Sequence, residues 1–444
     1  MVLAGPREYH IGDNRRDFQG AFFITLLECD KDLAAAFWGR DMDSETQREF
    51  DIGVYGATGF TGALVAQYFH ETHGDATWAI AGRSQNKLDA VKRRLAAPDL
   101  PTLVADSDSR EDMKRLAAQS RVIISTVGPY ARYGTTLLEA CAAEGTHYCD
   151  LTGEPQWMAS VFERVSDAAE DSGARMIHCC GFDSIPSDLG VYVAQKTMME
   201  KHGLYASSVS GRMGQSKGAV SGGTVASMLL AMEQGISDPV ARKALNDPYA
   251  LYPAELEPGQ DGPDQRGAQW DDSFQSWTGP FVMAAINSKV VRRSNALASL
   301  IYGADFSYNE AMLVPSRRAA LLLAGGSILG MMALAIGPLR RLIAKRLPQP
   351  GEGPSLSERE NGFFEFFVQA HHPEDASKDV RILVKGKRDP GYGATSRMLA
   401  QAGLSLAFDD LGVEGGIWTP ASGLGDFLVE RLATVDVTFE EVAI

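Results

Sequence analysis

What the chain lacks narrows its class. Its five cysteines (Cys29, Cys141, Cys149, Cys179 and Cys180) are odd in number, and none stands at C-x-x-C spacing from another. That argues against a disulfide framework and against a structural zinc site, so a reducing, cytoplasmic setting is expected. Basic residues are in deficit, with 42 Lys and Arg against 57 Asp and Glu and a net charge of −15. A nucleic-acid protein built on a broad basic face is therefore excluded as a class. An apolar leader is missing as well: Arg7, Glu8, Asp13, Arg15 and Arg16 occupy the place where a signal peptide carries its hydrophobic stretch. The eight histidines are scattered and show no carboxylate–histidine cluster, so no metal is expected.

What is present points to a multidomain α/β protein. At 444 residues the chain exceeds the size at which a single core stops growing. Met42 opens an ordinary-looking start, and residues 1–47 are expected to be a non-catalytic N-terminal extension. The alternative there is a packed helix from Phe22 to Trp38.

The strongest local signal follows. Ile52, Val54 and Tyr55 make a short buried strand, and Gly56-Ala57-Thr58-Gly59-Phe60-Thr61-Gly62 gives G-x-x-G-x-x-G at a strand-to-helix turn. Such a turn needs residues without a Cβ where a pyrophosphate approaches, with the anion held at the helix N-terminus. Glycines alone are weak evidence, and the context supplies the rest. Strand-like runs at 77–83, 102–106, 121–127, 147–151 and 174–180 alternate with helical segments. Six short apolar strands separated by helices specify a doubly wound parallel sheet.

Cofactor choice is read at the end of the second strand. A site for NAD places an acid there, whereas this chain has Arg83 and Ser84, with Lys87 one turn on. A guanidinium and a hydroxyl suit a 2′-phosphate, so NADPH/NADP is expected over NADH. Asp106, closing the third strand, either accepts from the adenine amino group or caps the next helix. Thr126, Val127, Gly128 and Pro129 leave the fourth strand beside the expected phosphates and nicotinamide.

A second anomaly lies at Ala319 to Leu339, 21 residues without a charge. Arg317 and Arg318 precede it, Arg340, Arg341, Lys345 and Arg346 follow it, and no acid occurs from Ala311 to Gly351. The length suffices to span a bilayer, but four glycines, one proline and basic residues at both ends fit a helix lying on one leaflet better. A buried core or oligomer-interface helix is the alternative.

YGATGFTG, AGRS-x-x-KL, STVGPYARYG, HYCDLTGE and GFDSIPSDLG together resemble the saccharopine dehydrogenase-like oxidoreductases, and within them the trans-acting enoyl reductases of actinobacterial lipid synthesis. The likeness continues at GPFVMAAINSKVVRRSNAL (279–297) and GGIWTPASGLGDFLVERL (415–432). It implies a Rossmann-type NADP-binding domain over 48–190 and a second α+β substrate domain over 191–390, with C-terminal helices over 391–444 packing back on the first. It also implies NADPH-dependent reduction of a carbon–carbon double bond in a polyketide-type lipid or glycolipid precursor. The cationic constellation that an amino-dicarboxylate substrate demands is not found, which places a saccharopine-type amino-acid dehydrogenase second. A non-catalytic membrane-associated scaffold is a third reading. Expected partners are the lipid-like substrate, a membrane surface contacted through 317–346 at the inner face of the plasma membrane, and a second copy of the chain as a homodimer.

Enoyl reduction needs a nicotinamide about 3 to 3.5 Å from the accepting carbon, a donor polarising the carbonyl, and a proton source for the adjacent carbon. By position, Tyr130 and Asp183 are the catalytic candidates, with Tyr133, His147 and Tyr148 behind them. His178, Cys179 and Cys180 read as strand packing. In the second half, strand-like runs are expected at 207–213, 282–286 and 380–384, a long surface loop or lid at 246–279, and helices at 395–408 and 425–432.

Overall fold

A computed structural model describes residues 48–72, 76–218, 222–344 and 353–444. The expected N-terminal extension, with its alternative helix, lies outside the described residues. The strands in chain order are β1 (Phe50–Tyr55), β2 (Trp78–Gly82), β3 (Thr102–Val104), β4 (Ser120–Ser125), β5 (His147–Asp150), β6 (Arg175–Ile177), β7 (Ser208–Lys217), β8 (Gln269–Asp271), β9 (Ser276–Gly279), β10 (Ser307–Val314), β11 (Phe363–His371), β12 (Val380–Lys387), β13 (Gly416–Trp418) and β14 (Val437–Val442).

The first seven-stranded sheet runs β13-β6-β5-β4-β1-β2-β3, with every pairing parallel. Ile52, Val54, Val122, Ile123 and Ile124 are fully buried, as central strands covered by helices on both faces must be. The strand order reverses direction at β1, between β2 and β4. In an open parallel sheet the ligand crevice lies at the carboxyl ends of the strands flanking such a reversal.

The second sheet is mixed, in the order β14-β12-β11-β7-β10-β9-β8, with β7 and β10 parallel and the other pairs antiparallel. One core runs between the two sheets: Ile52, Val54 and Ile124 belong to the same buried cluster as Val368, Val384, Leu399 and Leu428. The Ile185–His202 helix lies on β11 and β12, and the Thr395–Phe408 helix returns to β4, β5 and the Phe60–Thr72 helix.

Several expectations change here. The run at 282–286 is not a strand; it leads into the Ala284–Leu297 helix, whose residues from Ile286 to Ala296 are all buried. A short apolar run does not distinguish a strand from the start of a fully buried helix. The stretch 246–279 is not simply a loop. It carries the β8–β9 hairpin, and Asp261 is anchored to Arg292 Nε at 2.6 Å. A seventh parallel strand, β13, joins the first sheet, and β14 takes the chain end to the second. The buried-core alternative for 319–339 fails: in the Arg317–Ala335 helix only Ala320 and Ala324 are buried.

Candidate active site

The glycine turn is shaped by its neighbours. Gly56 has φ +89°, and a Cβ there would stand 2.6 Å from Thr126 Oγ1 and 2.7 Å from Val127 Cγ2. A Cβ on Gly62 would stand 2.3 Å from the Gly56 carbonyl oxygen. Thr126 in turn donates to the Tyr55 carbonyl at 3.1 Å. The turn is therefore clamped between the ends of β1 and β4, and only glycine fits at these two positions. The N–H groups of Phe60 and Thr61 make no hydrogen bond among the described residues, and the first turn of the Phe60–Thr72 helix holds no acid. An exposed positive helix end with free donors fits a pyrophosphate.

The adenosine end is also open. Ser84 is the N-cap of the Gln85–Leu95 helix, yet its side chain makes no capping bond. Arg83 and Lys87 are exposed beside it, and neither forms an ion pair among the described residues. Asp106 sits differently. Its Oδ1 accepts from the Asp108 N–H at 3.1 Å, so its carboxylate shapes the turn after β3, and the next helix is capped by Ser109 and not by Asp106.

At the exit of β4 a cis Gly128-Pro129 bond precedes the short Tyr130–Tyr133 helix. Tyr130 is turned inward. Its hydroxyl donates to the Ser125 carbonyl at 3.0 Å and accepts from the Leu151 N–H at 3.4 Å, and its ring stacks on Trp157. Burial pushes its phenol well above the ordinary range. The expectation that Tyr130 donates to substrate is corrected, because its hydroxyl is used by the backbone of the sheet. His147 fails as well: it lies at the entrance of β5, opposite the crevice, and its Nδ1 accepts from the Arg175 N–H at 3.0 Å. Burial lowers its pKa to about 4.

Asp183, after β6, fits the role better. It is partly exposed, with its Oδ2 facing Gly153 of the β5 exit, and its carboxyl has no hydrogen-bond or ionic partner among the described residues. Burial alone pushes its pKa up to about 6. Asp188, further on, is committed to structure: it accepts from Ser294 Oγ and, at 2.8 Å, from the Ala421 N–H.

A model of the saccharopine dehydrogenase NADP-binding domain matches residues 52–177. A trans-acting enoyl reductase from Mycobacterium tuberculosis is 38% identical over 427 residues, covering 88% of this chain and 97% of the relative. Another from Mycobacterium ulcerans is 37% identical over 415 residues, covering 89% and 98%. The chain belongs to the saccharopine dehydrogenase-like family, in its trans-acting enoyl reductase group. Among solved structures, homospermidine synthase from Legionella pneumophila shares the fold with a TM-score of 0.51 at 10% identity, covering 89% of this chain and 92% of that one. The protein is thus an NAD(P)H-dependent oxidoreductase of the enoyl reductase type with an NADP(H)-binding domain.

Two features of this enoyl reductase escaped sequence reasoning. Glu154, fully buried, accepts from the Tyr130 N–H at 2.8 Å, the Ala131 N–H at 3.0 Å and Ser227 Oγ at 2.6 Å. A glutamate directly before the helix-starting Pro155 was the available signal. Asp150 and His178 form a pair at 2.9 Å, although they stand 28 residues apart. Adjacent parallel strands, β5 and β6, bring their ends together, which spacing along the chain does not reveal. His178 is enclosed by Tyr148, Trp157 and Phe162, and Asp150 also accepts from the Thr152 and Cys179 N–H groups. This pair orders the exits of β5 and β6. No group of three His, Cys, Asp or Glu suited to a metal occurs among the described residues.

Proposed function

We propose that this protein reduces the carbon–carbon double bond of an α,β-unsaturated lipid or polyketide-type acyl substrate, using NADPH in preference to NADH. When bound, the reduced nicotinamide supplies the hydride. Phe60 and Thr61 would hold the pyrophosphate through their backbone N–H groups, and Arg83, Ser84 and Lys87 would supply the charge and hydroxyl that a 2′-phosphate needs. Hydride addition at the β carbon leaves negative charge on the carbonyl side of the substrate, and the α carbon then needs a proton. Asp183 supplies it from the mouth of the crevice.

The observation that carries this reading is the Asp183 carboxyl, which faces Gly153 of the β5 exit and has no hydrogen-bond or ionic partner among the described residues; burial raises its pKa to about 6. A carboxyl committed to capping would show hydrogen bonds, as Asp188 does. An apolar substrate is supported by the Gly222–Ser237 helix, whose first turns lie against the β4 and β5 exits and read VASMLLAM. A cytoplasmic location with attachment to the inner face of a membrane accords with such a substrate. The test is to incubate the purified full chain with NADPH or NADH and a long-chain enoyl thioester, following cofactor oxidation and product mass together. A saturated product formed faster with NADPH is expected. Cofactor binding without reduction of the double bond would overturn the reading.

A further inference from the structure

The Arg317–Ala335 helix has an inner side and an outer side of different character. Ala320 and Ala324 face inward, Leu323 packs on Gly279 of β9, and the helix runs beside the Gly222–Ser237 helix. Outward stand Leu321, Leu322, Ile328, Leu329, Met331 and Met332, of which Leu322 is 77% exposed and Leu329 68%. In the first turns Leu321 and Leu322 point away from the fold, and from Ile328 to Met332 five consecutive residues are exposed, so the second half of the helix is open on every side. After an extended Ile336 the chain forms the Gly337–Ala344 helix, and Ile336, Leu339 and Leu342 are exposed there as well.

Charge frames this side. Arg317 and Arg318 stand at its start, Arg340 and Arg341 beyond its end, and no acid lies between Glu310 and Glu352 in a chain of net charge −15. A second copy is a poor occupant. A twofold axis pairing the helix with itself antiparallel sets Arg317 and Arg318 of one copy beside Arg340 and Arg341 of the other, with no acid to separate them. Anionic headgroups complement both ends at once. The first turns are anchored to β9 and the neighbouring helix through Ala320, Leu323 and Ala324, an attachment that suits a segment resting on a surface better than one crossing it.

The neighbouring helix leads to the active site. The Gly222 N–H donates to the Tyr392 hydroxyl at 3.1 Å, Tyr392 packs on Phe60 of the glycine turn with ring centroids 4.6 Å apart, and Ser227 reaches Glu154. Met228 and Ile236 of that helix are exposed. The Gly222–Ser237 helix thus touches the outer helix on one side and the border of the crevice on the other.

We propose that the outer side of the Arg317–Ala335 helix rests in the headgroup and acyl boundary of an anionic leaflet, and that an acyl chain passes from there along the Gly222–Ser237 helix to the crevice. The second half of this proposal rests on the enoyl reductase reading above. The test uses the full chain and vesicles of phosphatidylcholine with or without phosphatidylglycerol. Wild type is expected to sediment with the phosphatidylglycerol vesicles at least tenfold more strongly than with phosphatidylcholine alone. L322E/L329E and R340E/R341E each lose that binding at least tenfold while retaining wild-type NADPH affinity, which shows that they fold.

L322E/L329E is further expected to reduce a short soluble enoyl thioester at the wild-type rate and a vesicle-embedded long-chain enoyl substrate at least tenfold more slowly. Equal vesicle binding by wild type and both variants overturns the docking. So does a dimer that forms without vesicles and dissociates in L322E/L329E, which would assign the surface to a second copy. Equal rates of wild type and L322E/L329E on the embedded substrate overturn the path. If wild type reduces no enoyl substrate at all, the reductase reading and the path fail together, while sedimentation still decides the docking.

Discussion

The hydroxyl of Ser227 donates to the buried carboxylate of Glu154 at 2.6 Å, and with Gln156 donating to Gln234 at 3.1 Å it ties the Gly222–Ser237 helix to the segment leaving β5. The same carboxylate receives two N–H groups from the exit of β4. Three elements bordering the crevice therefore share one acceptor. E154A leaves three donors without it and is expected to cost about 3–5 kcal/mol, while S227A costs about 1 kcal/mol. Urea denaturation of the two variants checks both values, and equal midpoints for E154A and wild type contradict the shared-acceptor account.

Arg83 is exposed beside an uncapped helix end, so its contribution is to binding and not to folding. A charge-assisted hydrogen bond is worth about 1.5–3 kcal/mol. R83A is therefore expected to raise the Kd for NADPH roughly 10- to 100-fold, leave that for NADH nearly unchanged, and leave the denaturation midpoint alone. Fluorescence titration with both cofactors reads the difference, and an equal loss for the two would remove the 2′-phosphate assignment.

Asp183 carries a pH prediction. Its pKa is raised to about 6, so the proton-donating form predominates below that value and is lost above it. The rate constant kcat should fall as pH rises beyond about 6, approaching tenfold per pH unit. D183N should lower kcat by roughly 10² to 10⁴ and abolish that limb. A D183N profile that keeps the wild-type shape assigns the proton to another group.

Asp188 and Glu310 carry a stability prediction of definite sign. Both are buried, and burial raises their folded pKa values to about 6 and about 7. In the unfolded chain they titrate near 4, so between about pH 4 and pH 7 the folded state holds the extra protons. Stability from these groups is complete at the acid end of that window and lost as pH rises through it. The urea midpoint should therefore be higher at pH 5.5 than at pH 8. E310Q, whose amide does not ionise, should show a smaller difference, and an unchanged difference in E310Q would exclude Glu310 as a contributor.

Legibility in the sequence follows the range of the interactions. Six of the seven strands of the first sheet and the glycine turn are written locally, in apolar runs of strand length and in residues that must lack a Cβ. The Ala284–Leu297 helix was misread because Val282 to Ile286 is apolar in either conformation, and only tertiary burial of Lys289, Arg292 and Arg293 marks it as a core helix. Strand β13 is three residues long and owes its place to β6, more than two hundred residues earlier. At the site, the exit of β6 is legible and places Asp183 at the crevice, whereas the inward turn of Tyr130 is not. A strand exit gives the position of a side chain, whereas the turn at Pro129 decides where it points. Glu154 with Ser227 and Asp150 with His178 are relations across the fold, and neither pair has a spacing signature.

The most direct test of the central claim follows both hydrogens. With deuterium at the transferring C4 position of NADPH, the account predicts one deuterium at the β carbon of a long-chain enoyl thioester; with unlabelled NADPH in deuterated water, it predicts one at the α carbon. One cofactor should be oxidised per double bond lost, with D183N slowing the whole conversion. Cofactor oxidation that reduces the carbonyl and leaves the double bond intact, or no turnover by protein that binds NADPH tightly, would contradict it.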